Sequence, residues 1–149
     1  MSTRCQVQVV RVKDGLEAWI DGETRTLYHH SDGYPDHMLP VFERAWEQMS
    51  ALGEKGTPFE KYRCNEYQLD RPGYVAGWLC TVDPGRFEPE NTPSLHADIE
   101  YLYVLEVSGK GWTLRTLEPK SGFWDDPKLE NMKRSGKMRT FKLNGKGAA

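Results

Sequence analysis

The feature that most constrains the fold is the run IEYLYVLEV at residues 99–107, which is largely apolar on both faces of an extended chain. Side chains of a strand alternate between faces, so Tyr103 and Leu105 lie on one face and Leu102 and Val104 on the other. A strand that is apolar on both faces is buried on both sides. The run therefore predicts a central strand of a sheet.

The N-terminal part of the chain has the pattern of consecutive short strands. Residues 4–12 alternate, with Cys5, Val7 and Val9 on one side, as in a half-buried strand. The pairs Asp14-Gly15 and Asp21-Gly22 are typical of hairpin turns and predict an N-terminal β-meander. The remaining strands are predicted at residues 16–20, 24–29, 112–117 and 138–143.

One amphipathic helix is predicted over residues 39–52, with Pro40 in its first turn. Apolar side chains recur there at steps of three and four residues: Leu39, Phe42, Trp46, Met49 and Leu52. Residues 72–82 are interpreted as a second helix that ends at Asp83-Pro84-Gly85. The sequence TPFE at residues 57–60 fits a capping box before a short further helix, and residues 86–95 are predicted to form a loop.

These elements predict an α+β fold, with an antiparallel sheet of five or six strands that begins as a meander and carries two or three packed helices. A chain of 149 residues has the size of one domain, and it shows no internal repeat or linker. The C-terminal segment 128–149 has seven basic residues and one acid, a net charge of +6. Because the whole chain carries −2, the preceding part carries −8, and we interpret the basic segment as a solvated face.

The sequence predicts a cytoplasmic protein without a membrane partner. No apolar region follows the first residues, and no stretch approaches the length of a membrane span. The three cysteines, Cys5, Cys64 and Cys80, are odd in number and far apart, so we expect free thiols rather than a disulfide framework.

Two polar clusters have the residue types of a metal site. The first contains His30, Asp32 and His37; His29 and His30 would point to opposite faces of a strand and could not chelate one ion. The second is His96, Asp98 and Glu100, which share one face of an extended chain. We favour a structural interpretation of both clusters, with Asp32 accepting backbone N–H groups in a turn, and we predict no cofactor.

Aromatic and basic residues suggest a binding site instead. Aromatic rings can stack on planar ligands while arginines hold phosphates, although such rings serve the core more often. The candidate ligand-binding residues are Tyr34, His37, His30, Asp32, Arg63, Arg71 and Arg86. No nucleophile elbow or phosphate-binding loop is present, so no catalytic residue is predicted.

The opening STRC at residues 2–5 and the segment LYHHSDGYP at residues 27–35 resemble a family of small uncharacterised phage and bacterial proteins. That family combines an N-terminal Thr-Arg-Cys strand with an Asp-Gly-Tyr-Pro motif, and residues 73–80 and 98–103 are similar to its later parts. The chain departs from the family at Ser31, where an aromatic residue is usual, and at Asp36-His37. The resemblance implies a fold and a phage or prophage setting in a bacterial host cell, and no reaction.

Three functions follow as hypotheses. The preferred one is a non-catalytic accessory protein of phage type that binds a small anionic or nucleotide-like ligand or a host protein, a class that includes counter-defence. The first alternative is a metal-dependent phosphoesterase or nuclease that uses one of the His/Asp/Glu clusters. The second is a structural or homo-oligomerising protein without a small ligand.

Overall fold

The structure is a computed structural model that describes residues 3–13, 16–17, 24–51 and 68–143, with the backbone alone for residues 12–13 and 16–17. Several sequence predictions lie outside these residues. They are the two Asp-Gly turns, the short helix expected after residue 60, and the positions of Arg63 and Cys64.

In the described residues, a strand-rich N-terminal part is followed by two helices and then by a strand-rich C-terminal part. The strands are β1 (Cys5–Lys13), β2 (Leu16–Glu17), β3 (Arg25–His29), β4 (Phe87–Glu90), β5 (Tyr101–Val107), β6 (Gly111–Pro119), β7 (Met132–Arg134) and β8 (Arg139–Lys142). The helices are α1 (Pro35–Ala51) and α2 (Pro72–Val82), and a short 3-10 turn occupies Leu129–Asn131. The predicted α+β class is therefore confirmed.

The sheet is mixed, which corrects the prediction of a purely antiparallel sheet. Its main path is β4-β3-β1-β5-β6-β7; β2 also pairs with β1, and β8 with β6. The pair β1 and β5 is parallel, while the other pairs are antiparallel. Parallel neighbours need a long crossover, and the chain through α1 and α2 supplies it. Side-chain alternation predicts that a strand is half-buried but carries no information on the direction of its partner.

The strand β5 lies inside the sheet, between β1 and β6, as its sequence predicts. One face of the sheet packs against both helices, with Val7, Tyr103 and Leu105 in the same buried cluster as Phe42 and Leu79. This helical face carries the candidate site described below, because the N-terminal end of α1 and the C-terminal end of α2 meet there.

The opposite face is covered by irregular chain. Leu102 and Val104 pack there with Phe123 and Met132. The covering segment that precedes β5 is tied to the sheet by the buried side chain of Gln6, which donates to the Ser94 carbonyl at 3.0 Å and accepts from the His96 N–H at 2.8 Å. These bonds satisfy a polar side chain that the sheet removes from water.

Helix α1 begins four residues before the predicted start. Pro35 occupies the first helical position, where a backbone N–H would have no partner within the helix, so proline is tolerated there. Because the helix begins earlier than predicted, Pro40 lies in its interior rather than in its first turn. Phe42 and Met49 are buried, as predicted. Leu39 and Trp46 are only partly buried against the core, because α1 lies on the sheet as an outer layer.

The second helix is confirmed at Pro72–Val82, and Asp83 is its C-terminal cap residue. The predicted loop over residues 86–95 is wrong in its first half, because Phe87–Glu90 forms β4 and pairs with β3. Proline is tolerated in a strand at the edge of a sheet, where its missing N–H breaks no ladder bond, and Pro89 lies in such a strand. Neither described helix combines the length and the apolar character that a bilayer crossing requires.

Candidate functional site

Two histidines and one aspartate converge at the edge between the sheet and the helices. Nε2 of His29 lies 2.7 Å from Oδ2 of Asp83, and Nε2 of His37 lies 2.9 Å from the same oxygen. One ligand atom from each residue lies within 4.8 Å of the other two. Two imidazoles and one carboxylate form a donor set that divalent transition metals use in proteins.

Each of the three residues ends or begins an element, which is why they meet. His29 is the last residue of β3 and lies opposite Cys5 of β1 in the antiparallel register. His37 is the third residue of α1, and its backbone N–H donates to the Tyr34 carbonyl at the start of the helix. Asp83 caps α2, with its backbone N–H bonded to the Leu79 carbonyl. The site therefore depends on the docking of both helices onto the sheet.

The turn that connects β3 to α1 approaches the sheet too closely for any residue but glycine. A Cβ atom on Gly33 would lie 2.8 Å from Cβ of Cys5 and 2.9 Å from its backbone N. The Gly33 N–H donates to the Thr3 carbonyl, and the Gly33 carbonyl accepts from the Tyr103 hydroxyl, each at 2.8 Å. These contacts fix the turn, and with it the start of α1 and the position of His37.

The positive φ in this turn belongs to Asp32, at 57°, rather than to Gly33. Gly33 provides instead the close approach of the turn to the backbone of Cys5. The Asp32 carboxylate was expected to accept backbone N–H groups, and instead accepts a short hydrogen bond from NH1 of Arg86. A left-handed conformation is uncommon outside glycine, and aspartate is among the residues that tolerate it best.

Arg86 links the turn to the two histidines through Asp83. Its Nε lies 3.6 Å from Oδ1 of Asp83, while NH1 binds Asp32. The imidazoles contact the other oxygen, Oδ2, so the two Asp83 oxygens have separate roles. One oxygen faces the donor atoms and the other holds the orientation of the carboxylate, as outer-shell groups do around metal ligands.

The charge state of the site follows from its burial. Burial lowers the pKa of His29 below its ordinary value, although the hydrogen bond and charge of Asp83 act in the opposite direction. Burial alone would raise the pKa of Asp83, but hydrogen bonds from His29 and His37 outweigh it and lower that pKa. Asp83 is thus a carboxylate that accepts from both Nε2–H groups, and His29 is a neutral imidazole whose Nδ1 is buried without a partner in the described chain.

A thiol lies beside the site. Cys5 is a free, buried cysteine, and burial, with a smaller contribution from the charge of Asp83, raises the pKa of its thiol. Cys80 is also a free cysteine, half-buried on α2, and burial raises its pKa as well. Neither environment favours the thiolate, the form that acts as a nucleophile.

The structure places only part of the predicted ligand-binding set at this site. Tyr34, His37, Asp32 and Arg86 lie there, and Tyr34 is 41% exposed. His30 points away, as the alternation predicts, and binds Glu88 at 2.7 Å. Arg71 lies at the opposite end of α2, about 16 Å along an 11-residue helix, where its guanidinium sits over the Tyr74 ring.

Both predicted metal clusters are divided among other partners. In the first, His30, Asp32 and His37 bind Glu88, Arg86 and Asp83, respectively. In the second, His96 binds Glu90 at 2.7 Å, and Asp98 accepts from the Tyr28 hydroxyl at 2.9 Å. In the part of the chain that the structure describes, His29, His37 and Asp83 are the group with metal-ligand spacing, and Glu100 joins no such group.

The sequence analysis missed His29 and Asp83 as site residues. His29 shares a strand face with Leu27, an apolar residue that is buried, so the imidazole of His29 must be buried as well. A buried imidazole needs a polar partner, and that requirement was the available signal. Asp83 gave no comparable signal, because an Asp-Pro-Gly sequence is fully explained as the end of a helix.

Comparisons of the chain with protein-family models, with curated proteins and with solved structures find no match. The resemblance to small phage and bacterial proteins therefore stays a prediction, and the site must be interpreted from its own geometry.

Proposed function

We propose that this protein binds one divalent transition-metal ion at His29, His37 and Asp83 and uses it as a hydrolase. The observation that carries the proposal is the convergence of two imidazole nitrogens and a carboxylate within 4.8 Å from three separate elements. Imidazole ligands favour zinc and similar ions over magnesium and calcium. Three protein ligands leave a coordination position for water, which is the arrangement of catalytic rather than structural zinc sites.

The donor atoms need only a small adjustment to admit an ion. Ligands about 2.1 Å from a tetrahedral metal lie about 3.4 Å from one another. The two imidazole–carboxylate distances are 2.7 and 2.9 Å, so these atoms must separate by about 0.5–0.7 Å. The metal would then take the place of the two Nε2–H hydrogens that Asp83 now shares, and each imidazole would stay neutral with its proton on Nδ1. His37, whose side chain is 27% exposed, provides the side open to solvent.

Helix α1 opposes the cation only weakly. Its N-terminal end carries partial positive charge, which costs a nearby cation about 0.3–1 kcal/mol. Zinc binding to structural sites contributes about 10–16 kcal/mol, so the helix dipole does not decide the outcome.

The hydrolytic step is the ordinary one for an open metal site. An ion held by His29, His37 and Asp83 would lower the pKa of a bound water, and the hydroxide left when that water gave a proton to solvent would be the nucleophile for ester hydrolysis, with the leaving oxygen protonated by solvent. This proposal differs from the preferred sequence hypothesis of a non-catalytic binding protein, because Arg86 lies between two carboxylates that give the metal-free site a net negative formal charge, which disfavours an anion.

Metal titration of the full chain tests the proposal. We expect one equivalent of Zn²⁺ by native mass spectrometry, and Co²⁺ spectra typical of nitrogen and oxygen ligands. His37→Gln and Asp83→Asn should each weaken binding at least about tenfold, a loss of about 1.4 kcal/mol. His96→Gln is the matched control, because His96 also binds a carboxylate at 2.7 Å but lies outside the site.

Two results would contradict the proposal. Absence of stoichiometric metal in the wild-type protein would show that the three residues form a hydrogen-bond network that anchors both helices. Loss of binding in His96→Gln, with retention in His37→Gln, would move the metal to the cluster of His96, Asp98 and Glu100.

A further inference from the structure

We infer that the metal-loaded site recognises a phosphate group, with Arg86 as the residue that binds it beside the ion, so that the substrate class is a phosphate ester. This inference rests on the proposed metal site. The supporting observation is that the Asp83 carboxylate contacts both imidazoles through Oδ2 and contacts Arg86 through Oδ1. The ion and the guanidinium would thus be immediate neighbours, within reach of a single tetrahedral anion.

Arg86 is held in place but not fully used. NH1 binds Asp32 and Nε faces Asp83, and within the described residues no contact to NH2 is present. A guanidinium has five N–H donors in a planar fork that matches the oxygens of phosphate. The side chain is 37% exposed, so a ligand can approach it from solvent. The two carboxylates therefore orient Arg86 before a ligand arrives, which lowers the cost of binding.

Charge explains why an anion would bind only after the metal. The contacting charged groups are the carboxylates of Asp32 and Asp83 and the guanidinium of Arg86, which together carry a formal charge of −1. With neutral imidazoles, a divalent ion changes this charge to +1. The metal-free site repels a phosphate, whereas the loaded site attracts it from two adjacent cations.

The reaction implied is balanced without any further reactant. Metal-bound hydroxide adds to phosphorus, and the P–O bond to the leaving group breaks with its electron pair on the leaving oxygen. That oxygen takes a proton from solvent, which also received the proton of the bound water. The products are an alcohol and a phosphate, or a phosphomonoester if the substrate is a diester.

The test uses the full chain loaded with Mn²⁺, and inorganic phosphate, which has no ester bond to hydrolyse, as the probe. Paramagnetic broadening of the ³¹P signal reports phosphate close to the metal, and its titration gives the affinity. We expect broadening with loaded protein, and none with protein loaded with diamagnetic Zn²⁺ or in excess chelator. Calorimetry should show phosphate binding by the Zn²⁺ form and not by the metal-free form.

Variants separate the two proposals. Arg86→Gln should weaken phosphate binding at least about tenfold, the effect of about 1.4 kcal/mol. It also removes an outer-shell contact of Asp83, which should lower metal affinity about 10–100-fold, so phosphate binding is measured with enough Zn²⁺ to saturate the site of each variant. Arg86→Lys keeps the positive charge but lacks the planar fork of N–H donors, so its phosphate affinity should lie between those of the wild type and Arg86→Gln. Arg134→Gln removes an exposed arginine from β7, away from the site, and should change neither affinity.

Each outcome is decisive. Metal binding without phosphate binding in the wild type overturns the inference and leaves the metal site intact. Equal phosphate binding with and without metal overturns the charge argument, and unchanged binding in Arg86→Gln overturns the role of Arg86. Failure of the wild type to bind metal overturns the proposed function and this inference together. The metal dependence is measured on the wild type, so the test does not require that any variant folds.

Discussion

Replacing Gly33 with alanine should destabilise the protein, although it adds one methyl group. The new Cβ would lie 2.8 Å from Cβ of Cys5 and 2.9 Å from its backbone N. Carbon atoms in contact are ordinarily about 3.5–4.0 Å apart, so the turn and the strand must separate by about 0.7 Å or more. Cys5 cannot yield, because β1 is held between β3 and β5 in the sheet.

The expected cost is about 2–4 kcal/mol. Overpacking of a well-packed region costs about 1–3 kcal/mol. Moving the turn also weakens the two hydrogen bonds of Gly33, to the Thr3 carbonyl and from the Tyr103 hydroxyl, and each such bond contributes about 0.5–1.5 kcal/mol. Because His37 follows in the first turn of α1, the same displacement should loosen the metal site.

Urea unfolding followed by tryptophan fluorescence measures this effect, with an expected decrease in midpoint of about 1–2 M. Gly77→Ala is the matched control, since it is the same chemical change in an exposed position of α2 with nothing within 4 Å of the new Cβ. Because alanine has a higher helix propensity than glycine, Gly77→Ala should stabilise the protein by about 0.5–1 kcal/mol. A Gly33→Ala protein within about 0.5 kcal/mol of wild type would refute the account of the turn, since overpacking of this degree cannot cost so little.

Two further predictions concern the helical layer and pH. Trp46→Ala should lower the free energy of unfolding, measured in urea, by about 2–3 kcal/mol. A fully buried tryptophan would lose ~3–5 kcal/mol, but Trp46 is only partly buried, with its ring edge-on to that of Trp112 at a centroid distance of 5.1 Å. An unchanged urea midpoint would contradict this packing. In excess chelator, stability should fall as the pH drops from 7 to 5. The pKa of His29 is lowered in the fold, so the unfolded chain, with a pKa of about 6.5, binds more protons below that pH. The lowered pKa of Asp83 adds a loss at still lower pH. His29→Gln should flatten the slope between pH 7 and 5, and a slope unchanged in that variant would exclude His29 as its source.

Local patterns in the sequence determined where several elements lie. The two apolar faces of residues 99–107 required a strand with neighbours on both sides, and β5 has them. The spacing of Phe42 and Met49 placed one face of a helix against the core. These predictions succeed because periodicity reports directly on which side chains leave water.

Only the tertiary structure decided the direction of strand pairing and the composition of the site. The parallel pairing of β1 and β5 depends on the path of the chain through two helices, which alternation within a strand does not encode. His29, His37 and Asp83 are up to 54 residues apart and meet because the docking of two helices on one sheet brings three element ends together. The sequence shows which imidazoles and carboxylates are available for a site, but the predicted clusters contained residues that are close along the chain. Ligand geometry depends instead on distances in space, which the packing of the core determines.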